Sequence, residues 1–130
     1  AIGLAQLNKL DKFNEQRRAN AKFLSENLKG VVTPIVPEGQ THVFHQYTVR
    51  VPDGKRDALR THLQEKGVGS EIYYPVPIHQ QTFYVNQLGY QDSLPETEKA
   101  ALDVLSLPVH AGLTPSDLET IVAAVNEFME

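Results

Sequence analysis

The sequence predicts an α+β fold, a small sheet covered by helices. Three observations predict it. The segment "HQYTVRV" at 45–51 alternates and is rich in β-formers, the mark of a strand. A helix from about Lys55 to Lys66, stopped by Gly67, follows a turn at "PDG", and "VGSEIYY" returns as a strand. Strand, helix and strand at this spacing read as a crossover unit. Helical periodicity dominates both ends of the chain. At 130 residues the chain is close to the usual size of one domain with one core.

The first element is a long helix from Ala1 to Leu28. Leu7, Leu10, Phe13, Ala21, Leu24 and Leu28 recur at helical spacing, Arg17 and Arg18 interrupt the stripe halfway, and Gly30 follows as a stop. At the usual rise such a helix is roughly 40 Å long. A compact domain of this size is only about 35 Å across. The helix begins with no Ser, Thr, Asp or Asn to cap it. Removal of an initiator methionine before Ala1 would explain the opening. A helix that overruns its own domain instead reads as cut, so the chain is expected to be the end of a longer protein.

The segment "VVTPIVPEGQTH" is a short strand or an extended piece, broken by Pro34, Pro37 and Gly39. After the crossover unit, Pro75 and Pro77 exclude a helix and remove two ladder donors. A short helix from about Gln80 to Leu88 ends at Gly89. Ser93 and Glu96 then form a capping-box pattern ahead of the stripe Ala100, Ala101, Val104 and Leu105. "LSLPV" is a final short strand. The terminal helix has the clearest signals: Thr114 as cap, Pro115 at N1, Asp117 at N3, and a face of Leu118, Ile121, Val122, Val125 and Phe128.

Composition excludes several functions. A formal charge of −4 with no basic run argues against a nucleic-acid surface. The absence of cysteine removes disulfide and thiolate chemistry and fits a cytoplasmic protein. No apolar run is long enough for a bilayer span, so neither membrane insertion nor a secretory leader is expected. The pair His42 and His45 in "HVFH" invites a metal. In a strand, however, that odd offset places the two on opposite faces, and no HExxH pattern or cysteine assists. No metal site is expected. His62, flanked by Arg60 and Gln64, reads as solvated on its helix, and His110 as a loop residue. No phosphate loop, nucleophile elbow or Ser/His/Asp set appears.

That leaves "YYPVPIHQQTFY" at 73–84. Tyr and His carry an apolar body and a hydrogen-bonding tip, a combination suited to a sugar or nucleotide. Prolines hold such tips in place at low entropic cost. The plainer reading is that Tyr73 and Tyr74 pack at a sheet edge while Pro75 and Pro77 shape a turn. The residues alone leave both open.

Taken together, "AIGLAQLNKLDKFNEQRRANAKFLSENLKG", "HVFHQYTVRV", "RDALRTHLQEKGVGSEIYYPVPIHQQTFY", "LPETEKAALDVLSLPVHAGLT" and the terminal helix resemble, in order, the DegT/DnrJ/StrS-type sugar aminotransferases. The resemblance spans essentially the whole chain and corresponds to about the last third of such an enzyme. It implies the mostly antiparallel small C-terminal domain of fold-type-I pyridoxal-phosphate aminotransferases. The family moves an amino group, usually from glutamate, to a keto sugar usually linked to a nucleotide. Its pyridoxal phosphate is held as a Schiff base on a lysine of a large domain, which no lysine here matches. No catalytic residue is therefore expected in this chain, and pyridoxal phosphate is expected only on the full-length enzyme. By the same resemblance, Tyr73, Tyr74 and His79 are substrate-binding residues that orient the sugar, often across a homodimer interface. The expected partners are the protein's own large domain, a second subunit, a nucleotide-linked keto sugar and glutamate. The rival expectation is a stand-alone, non-enzymatic ferredoxin-like module that binds a ligand or regulates.

Overall fold

A computed structural model describes residues 1–130. Helix α1 (Ile2–Asn27) enters the core only near its C-terminal end, where Asn20, Ala21 and Leu24 are buried. Leu7, expected on the same buried stripe, is 62% exposed, and Leu10 and Phe13 are also exposed. Periodicity identifies an apolar face but not whether anything covers it. Here nothing in the chain covers the first half. The helix gives way to extended backbone at Leu28, and Gly30 follows with φ +71°. A side chain at Gly30 would be strained twice, by that φ and by a Cβ only 2.6 Å from Cβ of Met129.

The sheet is built on β1 (Tyr47–Arg50) and β2 (Val104–Leu107), antiparallel, with Tyr47 opposite Leu107 and Arg50 opposite Val104. Each outer edge gains one bridge. Val32 pairs with Arg50 beside β1, and Glu71 pairs with Ser106 beside β2. The expected strand–helix–strand unit is thus split, because β2 lies between β1 and the Glu71 segment. The expected strand over 68–74 contracts to that single bridge. Its outer edge is unpaired, and Pro75 and Pro77 supply no N–H to continue a ladder.

Helix α2 (Arg56–Glu65) packs on β2 and on α5 (Pro115–Met129), and α5 packs on the end of α1. Leu59 and Leu63 meet Leu118, Ile121 and Val125 in one cluster with Val49, Val51 and Leu105. Thr114 caps α5 as expected, and Asp117 at N3 accepts the Thr114 N–H in return, completing a capping box. His62 is not solvated as expected. Its ring stands 5.4 Å from that of Phe128, between α2 and α5, with Nε2 buried. Tyr47 is fully buried, and its hydroxyl pairs with Ser25 Oγ at 2.8 Å, tying β1 to α1. Burial pushes the Tyr47 phenol above its ordinary pKa, which the Ser25 bond only partly offsets.

Two further expectations change in detail. His42 and His45 do not share a strand, because the chain turns through Phe44 at φ +48° before β1 begins. His42 Nδ1 accepts from the Phe44 N–H at 2.9 Å, while His45 lies elsewhere, on a cavity described below. Ser93 and Glu96 form no capping box. Helix α4 (Pro95–Asp103) starts at Leu94, whose N–H donates to Glu98 at 2.8 Å. Pro95 sits at N1, so Ser93 lies one residue too early to cap.

The uneven burial of α1 has a measurable consequence. Leu24→Ala should cost about 3 kcal/mol, the usual loss for a fully buried leucine. Leu7→Ala should change stability by less than about 0.5 kcal/mol. Urea unfolding of both variants checks this; equal losses would mean that the first half of α1 is covered after all.

Candidate functional site

The proline segment runs over the surface beside α4. A single 3₁₀ turn (Ile78–Gln80) leads into α3 (Thr82–Leu88), which closes on Gly89 in the left-handed conformation. Tyr73 and Tyr74, joined by a cis peptide bond, stand edge to face with ring centres 5.8 Å apart. Tyr73 is 44% exposed and Tyr74 74% exposed. Neither hydroxyl has a partner within the chain, so both are free to bind something else.

His79 is placed differently, at 7% exposure. Its Nε2 donates to Glu98 Oε1 at 3.0 Å, since a carboxylate can only accept. The same Glu98 oxygen accepts the Leu94 N–H that opens α4. One carboxylate therefore joins the proline segment to the start of α4. The Leu94 N–H, and then His79, hold the Glu98 carboxyl below its usual range. Of the three residues singled out in the sequence, the structure brings Tyr73 and Tyr74 together at the surface. It buries His79 on Glu98, five residues further along the same segment.

Two concavities flank the tyrosines. On one side lies an apolar groove of about 290 Å³ between the proline segment and α4, lined by Tyr73, Tyr74, Val76, Ile78 and Ala100 among others. On the other lies a polar cavity of about 420 Å³ that includes Arg17, His45, Ser70, Glu71 and His110. Tyr73 borders both. Sequence reading did not assign Arg17, His45, His110 or Glu98 to any site. One signal was present: two adjacent arginines breaking an apolar helical stripe. Glu98 carried none, because its partner lies 19 residues away on an irregular segment.

A carbonyl cofactor such as pyridoxal phosphate needs an enclosed amine, since a solvated ammonium stays protonated and unreactive. Every lysine of this chain is exposed, and none lines either concavity beside the tyrosines. The residues present do not fit such a group by themselves.

The chain matches the model of the DegT/DnrJ/EryC1/StrS aminotransferase family over residues 1–126. It is 42% identical over 125 residues to a "Pleiotropic regulatory protein" of Geobacillus stearothermophilus, covering 92% of this chain and 33% of that one. It is 37% identical over 127 residues to a UDP-N-acetyl-3-dehydro-alpha-D-glucosamine 3-aminotransferase of Acidithiobacillus ferrooxidans, covering 96% and 33%. Among solved structures, NtdA from Bacillus subtilis with bound cofactor PMP superposes with a TM-score of 0.88 at 27% identity, covering 98% of this chain and 31% of that one. The chain thus spans about a third of the length of the relatives it matches.

The His79–Glu98 anchor yields a pH prediction. Because the folded Glu98 pKa is depressed, its contribution is fully present above the ordinary value of 4.5. It is lost as pH falls through the lower, folded value. Glu98→Gln keeps an oxygen that accepts from both donors but cannot titrate. Urea midpoints between about pH 6 and pH 3 should therefore fall less steeply for the variant than for the wild type. Parallel curves would show that Glu98 contributes no acid sensitivity.

Proposed function

The chain belongs to the DegT/DnrJ/EryC1/StrS aminotransferase family, and we propose that it is the small-domain part of a pyridoxal-phosphate-dependent sugar aminotransferase. In this reading it supplies a wall of the sugar-nucleotide pocket, and a larger domain supplies the cofactor and its lysine. The observation that carries the proposal is the pair Tyr73 and Tyr74: exposed, with free hydroxyls, on a segment fixed by Pro75, Pro77 and the His79–Glu98 anchor. Large rings held in the open at low entropic cost suit a rigid binding surface. The uncovered apolar residues of α1, among them Ile2, Leu4 and Leu7, supply a surface for the large domain and for dimer contacts. A cytoplasmic homodimer is the assembly proposed.

Within that frame Tyr73 and Tyr74 bind and orient the keto sugar and transfer no proton. The gain is positional: a keto carbon held in line needs less of the barrier to be crossed by chance encounter. His79, buried on Glu98, holds the segment that carries the tyrosines. A second reading has one observation in its favour, the regulatory name of the relative at 42% identity. The same wall would then bind a nucleotide sugar without turning it over.

In the longer protein, Tyr74→Phe should lower kcat/KM of the sugar-nucleotide half-reaction about three- to tenfold, the range for one lost hydrogen bond. The half-reaction with glutamate should change less than about twofold. Equal loss in both would remove the tyrosines from the sugar wall. Tight sugar-nucleotide binding with neither half-reaction detectable would favour the regulatory reading.

A further inference from the structure

We propose that the polar cavity beside Tyr73 is an oxyanion-binding site. It would take the carboxylate or phosphate group of a small molecule on Arg17, His110, Ser70 and Tyr73.

The chain has five arginines, of which Arg50, Arg56 and Arg60 each pair with a carboxylate and Arg18 faces solvent. Arg17 is partly buried, and no carboxylate pairs with it. Its only bonds are two long ones, both 3.4 Å, from Nη1 to the carbonyls of Phe44 and His45. A guanidinium has five donors in a planar fork matched to carboxylate and phosphate oxygens. Most of that fork is unused.

Its placement is not accidental. Asn20, one turn further along α1, is buried and donates from Nδ2 to the His110 carbonyl at 3.0 Å. This bond fixes the Arg17 face of α1 against the loop that follows β2. His110 Nδ1 accepts the Gly112 N–H at 3.2 Å, so the neutral ring must carry its proton on Nε2. The ring, which lines the cavity, therefore has Nε2–H as its free donor. The hydroxyls of Ser70 and Tyr73 and the ring of His45 have no partner within the chain. The one carboxylate on the wall, Glu71, already accepts at Oε1 from Arg60 at 3.2 Å and from the Ile72 N–H at 3.0 Å.

A donor-rich, cation-bearing cavity in a chain of net charge −4 calls for an anion. The shared chemistry is an oxyanion, and it could come from a dicarboxylic amino acid or from the phosphates of a nucleotide. The site shares Tyr73 with the proposed sugar wall, but oxyanion binding needs no catalysis and is read out without either half-reaction.

The test is an NMR titration of the 130-residue chain with inorganic phosphate and, separately, with glutarate, against chloride at matched ionic strength. Saturable shifts should centre on Ser70, His45, His110 and Gly112, with Kd about millimolar, as one partly buried cation allows. Arg17→Gln should weaken binding at least tenfold, and Arg18→Gln less than twofold. Preference for phosphate assigns the nucleotide source, and preference for glutarate the dicarboxylate source. Shifts no larger than with chloride, shifts spread over surface lysines, or equal losses in the two variants would overturn the site. Should Arg17→Gln fail to fold, the position of the wild-type shifts decides alone.

Discussion

Ser106 is the point on which the arrangement turns. It lies buried in β2, exchanges backbone hydrogen bonds with Glu71 on one side, and pairs its hydroxyl with Thr48 of β1 at 2.8 Å on the other. Those contacts decide where the chain leaves the sheet after Glu71. Two residues later it reaches Tyr73, and so both concavities have their shared wall. A slip of one residue at this bridge would exchange the faces of Ile72 and Tyr73. Ile72 would lose its place in the core, and Tyr73 would be driven into it.

The core that supports this bridge is modest and lopsided. Its large side chains come from β1, β2, α2, α5, the last turns of α1 and the loop residues Phe44 and Ile72. Tyr47 is the one fully buried side chain with a polar tip, and Ser25 satisfies it. Leaving that hydroxyl unpaired would cost about 1–3 kcal/mol. The bond thus does for α1 what apolar packing does for α5, fixing the angle at which the helix meets the sheet. Asn20 adds a second fixed point on the same helix, to the loop after β2. Two polar bonds therefore orient a helix whose apolar surface is half uncovered.

Much of this was legible in the sequence where a local rule decides the outcome. Thr114, Pro115 and Asp117 set the start of α5 because capping depends on residues three apart. Gly89 ended α3 for a similarly local reason, the left-handed φ of the closing residue. What the sequence hid depends on partners distant along the chain. The insertion of β2 between β1 and Glu71 is such a case, and so is the turn of His62 onto Phe128. Burial of α1 fails to follow its stripe for the same reason. Of the candidate site, the tyrosines stood out because prolines beside paired aromatic rings are a local signature of a stiff segment, while their binding role came only from the family resemblance. His79 was legible as a residue of interest but not as a buried one, since Glu98 meets it only after α4 has folded back.

The position of His79 changes how the tyrosines are to be understood. Exposed rings on a free loop would lose much conformational entropy on binding, on the order of 1 kcal/mol for each ordered backbone residue. Pro75 and Pro77 remove part of that freedom in the covalent chain itself. The His79–Glu98 bond removes more, because Glu98 is held in turn by the backbone of Leu94. The rigidity of the exposed surface is therefore borrowed from a buried contact that a ligand never needs to touch. A segment organised this way can present most of Tyr74 to the outside without surrendering its geometry.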